Sequence, residues 1–171
     1  MNMEIDPNHF KMVAAMHEAG HAVIAVKSKH HLICRDIVTD NSGAGITYVS
    51  RQATSPGNLE AAKEYAVILL AGFAVERKLR DDGDDVVPNR ESAEPDYVMA
   101  RSALQECGGD DNLLLECETK AHEAVVANWP DIEQIAVRIY DAGGCLDAVD
   151  VYEFLRIPIP AVRRLDSRKS E

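Results

Sequence analysis

A stripe of apolar side chains near the N-terminus includes two histidines. Apolar residues recur at steps of three and four between Phe10 and Ala25, and His17 and His21 take two places in this stripe. The spacing predicts an amphipathic helix, which we expect to run from the Asp6-Pro7 pair to about residue 29. A chain built around this helix must place two imidazoles against its own interior.

The two histidines belong to the sequence His17-Glu18-Ala19-Gly20-His21, an H-E-x-x-H pattern. Four helical residues separate them by about 40° around the axis and about 6 Å along it, so both imidazoles can reach one Zn²⁺. Glu18 lies on the adjoining flank, where its carboxylate can accept a proton from a water held by the metal. We therefore expect a zinc site with His17 and His21 as ligands and Glu18 as the general base.

A third zinc ligand must come from another part of the chain, because catalytic zinc generally has three protein ligands. The residues that follow His21 in the first helix include no further histidine. Glu76, on a second predicted helix, and Asp96, in the first turn of a third, are the candidates. Spacing alone does not choose between them.

Two segments rich in β-branched residues, 32–39 and 44–51, follow the first helix. They predict two strands that form a hairpin or lie as neighbours in a small sheet. The Ser55-Pro56 pair then starts a second long helix over residues 57–79. The Asp-rich segment 80–94 predicts a long loop, of a kind that is usually functional or mobile in compact domains.

Further helices are expected in the C-terminal half, each bounded by a proline, a glycine pair or a capping aspartate. They run from Pro95 to Gly108-Gly109, from Asp110 or Asp111 to about residue 128, from Pro130 to Gly143-Gly144, and over about residues 147–155. The sequence thus predicts a single, mostly helical α+β domain over residues 1–156, with about six helices and a sheet of two or three strands. Residues 157–171 should form an irregular, partly disordered tail.

The charge balance argues against some classes of partner. The chain has 18 Lys and Arg against 29 Asp and Glu, a net charge of −11. Nucleic acids and anionic membranes are bound by clustered cations, so neither is expected as a partner. The longest apolar stretch, 66–75, is about half the roughly 20 residues of a membrane span.

The expected compartment is the cytoplasm. Glu4 and Asp6 stand where a signal peptide is positively charged. The four cysteines are widely spaced and include no C-x-x-C pair, so they are expected to be reduced thiols.

Three blocks of this sequence resemble the signature blocks of the zinc peptidase domain of FtsH-type AAA proteases. They are residues 17–23 (HEAGHAV), 71–76 (AGFAVE) and 95–100 (PDYVMA), in the same order and at similar separations. The first block is the specific one, and the resemblance covers about residues 10–155. It differs at Glu94-Pro95, which stand where the family has a small residue and Asn.

The resemblance implies roles for individual residues. His17, His21 and Asp96 would bind Zn²⁺ on a zincin-like active-site helix, Glu18 would activate the water, and Glu76 would support the site. The family's substrate-pairing strand would correspond to the segment Gly45-Ile46-Thr47-Tyr48-Val49. The phosphate-binding motif G-x-x-x-x-G-K-[ST] does not occur in the chain, so action without ATP is expected.

The sequence therefore predicts a zinc metalloendopeptidase that hydrolyses short or unfolded polypeptides. An alternative is a non-catalytic zinc-binding domain that serves as a binding module or as a subunit of a separate ATPase. A third interpretation is a hydrolase of non-peptide amides. Members of the resembled family form hexameric rings, so a homo-oligomer or an ATPase partner is left open.

Overall fold

Six helices and five short strands make up the part of the chain that the computed structural model describes, residues 7–52 and 57–160. In chain order they are α1 (Pro7–Val26), β1 (His31–Ile33), β2 (Ile37–Thr39), β3 (Gly45–Ile46), β4 (Val49–Arg51), α2 (Leu59–Asp81), α3 (Glu94–Glu106), α4 (Asp111–Ala127), α5 (Trp129–Asp141), β5 (Cys145–Leu146) and α6 (Ala148–Phe154). The expected α+β class, mostly helical with six helices and a small sheet, is confirmed.

The two long helices α1 and α2 pack closely against each other in the centre of the fold. Gly20 makes this approach possible, because a β-carbon there would lie 2.7 Å from Cγ2 of Val75 and 3.3 Å from the carbonyl oxygen of Ala71. The contact places one face of α2 directly beside the turn of α1 that carries both histidines.

The remaining helices enclose this central pair. Helices α3 and α4 pack on α2, and α5 packs on α1. Ile132, Ile135 and Ile139 recur at helical spacing on α5 and are fully buried. The buried apolar residues form one contiguous cluster, so α1 and α2 are fixed from several sides.

Each of the two predicted strands is divided by a bend. The segment 32–39 contains β1 and β2, and the segment 44–51 contains β3 and β4. Antiparallel pairing joins β1 to β4 and β2 to β3, and the N–H of Cys34 bonds the carbonyl oxygen of Tyr48 at 3.0 Å across the bend. The predicted hairpin is therefore present, but it is bent into two sheets.

A fifth strand, β5, was not predicted. It pairs antiparallel with β2, which makes a three-stranded sheet in the order β3-β2-β5. Only two residues belong to β5, between the Gly143-Gly144 turn and α6. A strand this short shows no alternation of apolar and polar residues, so the sequence pattern could not reveal it.

Several element boundaries differ from the predicted ones. Helix α1 ends at Val26 rather than near residue 29, and α2 continues to Asp81. The cap of α2 is Asn58, whose side chain accepts the N–H of Ala61. The expected helix-start residues Asp6, Ser55 and Pro56 lie outside the described part of the chain, which leaves out residues 1–6 and 53–56.

None of the described helices has the length and hydropathy needed to cross a membrane. Residues 157–160 of the predicted tail have no regular secondary structure. The rest of that tail, 161–171, lies outside the described residues.

Candidate metal centre

Three side chains from two helices converge at one point. Oδ2 of Asp96, in the first turn of α3, lies 3.7 Å from Nε2 of His21 and 4.0 Å from Nε2 of His17. The three ligand atoms all lie within 4.8 Å of one another. Donors that bind zinc tetrahedrally at about 2.1 Å are roughly 3.4 Å apart, so small side-chain rotations would suit these residues to the ion. Two imidazoles and one carboxylate are also a donor set that zinc uses.

Glu76, on α2, orients the first histidine. Its Oε1 lies 2.7 Å from Nδ1 of His17, and its Oε2 accepts the backbone N–H of Asn89 at 3.2 Å. A carboxylate that accepts the Nδ1–H fixes the tautomer and leaves Nε2 for a ligand. The structure thus places Glu76, the second candidate for the third ligand, against Nδ1 of His17, whereas Asp96 lies beside the Nε2 atoms of both histidines.

The second histidine is fixed in the same way by main chain. Nδ1 of His21 lies 2.8 Å from the carbonyl oxygen of Ile68 and donates to it, because a carbonyl can only accept. The Nε2 lone pair of His21 therefore points away from α2, toward Asp96. Both imidazoles present the same nitrogen to the centre of the cluster.

The surroundings of His17 favour positive charge. Burial alone lowers the pKa of His17, but the hydrogen bond to Glu76 and the negative charges of Glu18, Glu76 and Asp96 outweigh it and raise that pKa above its usual value. A site that stabilises a proton on an imidazole through nearby carboxylates also attracts a metal cation.

Glu18 is buried beside the cluster and is not one of its three ligands. Its side chain is 5% exposed, and its Oε2 accepts the hydroxyl of Thr47 at 2.7 Å. A β-carbon at Gly45 would lie 2.7 Å from Oε1 of Glu18. The strand segment therefore lies directly over this carboxylate, which one hydroxyl holds in place.

A cleft of about 800 Å³ opens beside the ligand atoms. Three carboxylates line it, those of Glu18, Glu76 and Asp96, and its lining among the described residues includes no Lys or Arg. Several exposed apolar side chains also line it, namely Phe10, Ile46, Tyr48, Val87 and Met99. The cleft thus combines an anionic floor with apolar walls.

The segment predicted to bind substrate lies along this cleft. Gly45 and Ile46 form β3, the outer strand of the three-stranded sheet. Thr47 and Tyr48 belong to the bend before β4 and are not in a strand. All four residues line the cleft, and the strand itself is shorter than the predicted segment.

The sequence analysis missed three residues that shape the site. Gly72 makes room for the ring of His17, Asn89 holds Glu76 through its backbone, and Tyr65 lines the cleft. A signal existed for two of them, because Tyr65, Leu69, Gly72 and Glu76 follow one another at steps of four, three and four residues. That spacing places them on one face of α2.

No protein-family model matches this sequence, and no curated protein matches it significantly.

Proposed function

We propose that this protein is a zinc-dependent metallopeptidase, related to the zinc peptidase domain of FtsH-type AAA proteases, that cleaves short or unfolded polypeptides. The observation that carries the proposal is the convergence of His17, His21 and Asp96 beside Glu18, a buried carboxylate that is not a ligand. A purely structural zinc site takes a fourth protein ligand and needs no base. Three ligands with a free carboxylate at an open cleft are typical of a hydrolytic site.

Zinc bound by His17, His21 and Asp96 would lower the pKa of a bound water toward 7 and polarise a carbonyl group. In this proposal Glu18 accepts the proton from the attacking water and later donates it to the departing amine. Thr47 keeps the acceptor in place, because its hydroxyl bonds Oε2 and leaves Oε1 without this partner.

The supporting residues hold the ligands in position. The hydrogen bond of His17 to Glu76 and that of His21 to the carbonyl of Ile68 keep both Nε2 atoms directed toward Asp96. Such supporting contacts usually change metal affinity by about 10-fold to 100-fold when they are removed.

An extended polypeptide suits the shape of the cleft. The outer edge of β3 lies beside Glu18, and an extended main chain can pair with such an edge. The N–H of Asp40 donates to the carbonyl oxygen of Ala44 at 2.8 Å, so Ala44 directs its backbone groups toward β2. Because this direction alternates along an antiparallel strand, the N–H and C=O of Gly45 point away from β2. Peptide bonds are therefore favoured over other amides as the substrate.

The proposed compartment is the cytoplasm. None of Cys34, Cys107, Cys117 and Cys145 forms a disulfide in the described structure. Reduced thiols are typical of that compartment.

A test compares the parent protein with Glu18→Gln, each loaded with one equivalent of zinc. Cleavage of fluorescein-labelled casein and zinc content are measured for both. We expect Glu18→Gln to keep its zinc and to lose about 10²-fold to 10⁴-fold in cleavage rate, the range for a general base. Glu116→Gln removes an exposed carboxylate on α4 and is the matched control, which should behave as the parent.

Equal cleavage by the parent and Glu18→Gln would contradict the proposal. Zinc binding without any cleavage of casein would favour the non-catalytic alternative, a zinc-binding domain that acts as a binding module or as a subunit of a separate ATPase. Hydrolysis of small amides without cleavage of peptides would favour the third interpretation.

A further inference from the structure

Tyr65 stands in the candidate active site without a role in metal binding. It lies on the face of α2 that also carries Leu69, Gly72 and Glu76, and it lines the cleft together with His17, Glu18, His21 and Asp96. In the proposed mechanism the metal would polarise the substrate carbonyl, and none of the supporting residues donates a hydrogen bond to that oxygen.

The ring of Tyr65 is held in a fixed orientation. It stacks on the imidazole of His31 with the ring centroids 5.3 Å apart and the planes 15° from parallel. His31 is itself fixed, because its Nδ1 donates to Glu64 at 2.9 Å. Glu64 also accepts the backbone N–H groups of Lys29 and His30, at 2.9 and 2.6 Å. The phenol is therefore positioned by contacts that do not involve the metal ligands.

The hydroxyl of Tyr65 makes no hydrogen bond within residues 7–52 and 57–160, in contrast to that of Tyr152, which bonds the N–H of Ile33 at 3.2 Å. Burial raises the pKa of Tyr65, and the negative charge of Asp96 raises it further. The hydroxyl thus keeps its proton at neutral pH and is available as a donor.

We propose that Tyr65 is a catalytic residue whose hydroxyl donates a hydrogen bond to the carbonyl oxygen of the scissile peptide, the atom on which negative charge develops. This inference depends on the proposed peptidase function. Fixed donors at such an oxygen are among the largest contributions to catalysis of acyl transfer. The described lining of the cleft has no Lys or Arg, so a neutral hydroxyl is a suitable donor to assist the metal at this oxygen.

Tyr48 is the other phenol in the cleft. Its ring is 37% exposed and lies under the guanidinium of Arg35, 5.0 Å from the centroid. An exposed side chain in a bend is less well fixed than Tyr65, which is stacked and half-buried. A donor contributes most when it needs no reorganisation, so Tyr65 is the better placed donor of the two.

The test compares Tyr65→Phe and Glu18→Gln with the parent, all loaded with zinc. Tyr140→Phe is the matched control, because Tyr140 is a half-buried phenol on α5 that does not line the cleft. Steady-state kinetics use a fluorogenic peptide, and calorimetry measures the Kd of a phosphinic peptide whose tetrahedral P–O⁻ group resembles the charged carbonyl oxygen. For Tyr65→Phe we expect kcat to fall about 10²-fold, the effect of removing one such donor. Its KM should stay within about 2-fold, because the contact is made in the transition state.

The phosphinic peptide should bind Tyr65→Phe at least about 10-fold more weakly than the parent. Zinc content and Tm should not change, since the hydroxyl has no partner to lose. Tyr140→Phe should match the parent in kcat, in Kd and in Tm.

Three results would overturn the inference. They are an unchanged kcat and Kd for Tyr65→Phe, an equal loss for Tyr140→Phe, or a loss of zinc or of Tm in Tyr65→Phe that accounts for the lower rate. The proposed peptidase function fails separately, when the parent cleaves nothing or Glu18→Gln cleaves as well as the parent. If the peptidase function fails, binding of the phosphinic peptide still tests the inference. Equal Kd values for the parent and Tyr65→Phe would then overturn it.

Discussion

Gly72 on α2 makes room for the imidazole of His17. A β-carbon at position 72 would lie 2.5 Å from Cδ2 and 2.6 Å from Cε1 of that ring, well inside van der Waals contact. The glycine interrupts an otherwise apolar stretch of the helix at this turn. Glycine lowers helix stability by roughly 1 kcal/mol relative to alanine. At this position its missing side chain leaves the space that the His17 ring occupies.

We expect Gly72→Ala to weaken zinc binding by about 10-fold to 100-fold, the range for changes that disturb a ligand's orientation. The added methyl group must displace the His17 ring, because the nearest atom to it is Nε2, the proposed ligand atom. Competition with a chromophoric chelator measures the Kd, and the Tm of the metal-free protein should stay close to that of the parent, because alanine favours the helix.

Gly45→Ala is the contrasting variant for this prediction. Its methyl group would meet Glu18, which is not a ligand. It should bind zinc as the parent does and lose peptide cleavage. An unchanged Kd for Gly72→Ala would contradict the prediction, because it would show that the close contact with His17 does not affect zinc binding.

Glu76→Gln tests the hydrogen bond that orients His17. Glutamine can still accept the Nδ1–H but has no negative charge, so the imidazole becomes a weaker ligand. We expect zinc affinity to fall about 10-fold, with a larger loss for Glu76→Ala. Titration by calorimetry at constant pH measures this. Glu123→Gln on the exposed face of α4 is the control, and an unchanged Kd for Glu76→Gln would show that the carboxylate has no such role.

The sequence was sufficient for the centre of the site because that part is local. His17, Glu18 and His21 lie within two turns of one helix, so their relative positions follow from helix geometry. The choice between Glu76 and Asp96 was not local. It depends on how α2 and α3 pack beside α1, and the loop between α2 and α3 is held to Glu76 through the N–H of Asn89.

The fold was predictable where periodicity extends over several turns. Helices α1, α2 and α5 each bury a long stripe, and their existence followed from the sequence. The bends at Cys34 and Tyr48, and strand β5, did not follow. Strand β5 depends on pairing between segments about a hundred residues apart, such as Val38 with Cys145, and a two-residue strand contains no period.

Thr47→Val should lower the rate of peptide cleavage about 10-fold, an effect of about 1.4 kcal/mol. The hydroxyl of Thr47 bonds Oε2 of Glu18 at 2.7 Å, so its loss leaves a buried carboxylate without this partner. Zinc affinity should not change, because Thr47 contacts no ligand atom. Steady-state kinetics and chelator competition measure the two quantities. Thr119→Val removes a hydroxyl on α4 that bonds only its own helix and should match the parent.

The pair of His31 and Glu64 lies behind Tyr65 and makes stability depend on pH. Burial lowers the pKa of His31 more than its hydrogen bond to Glu64 raises it. For Glu64, burial raises the pKa, but the hydrogen bonds from His31 and from two backbone N–H groups outweigh it and lower the pKa. In the folded protein His31 is therefore neutral and Glu64 ionised near pH 7.

A comparison with His31→Asn isolates the contribution of this histidine, because Asn can donate to Glu64 but does not titrate. The folded pKa of His31 lies below its unfolded value near 6.5, so between the two values the unfolded chain holds more protons and stability falls as the pH falls. Urea unfolding with a chelator present should show a parent-minus-variant difference in unfolding free energy that is constant above about pH 7. Below about pH 6.5 the difference should decrease, by at most about 1.4 kcal/mol per pH unit.

His17, whose raised pKa acts in the opposite direction, is present in both proteins, so its contribution cancels in the difference. A difference that stays flat from pH 8 to pH 5 would mean that His31 is not held neutral by its surroundings.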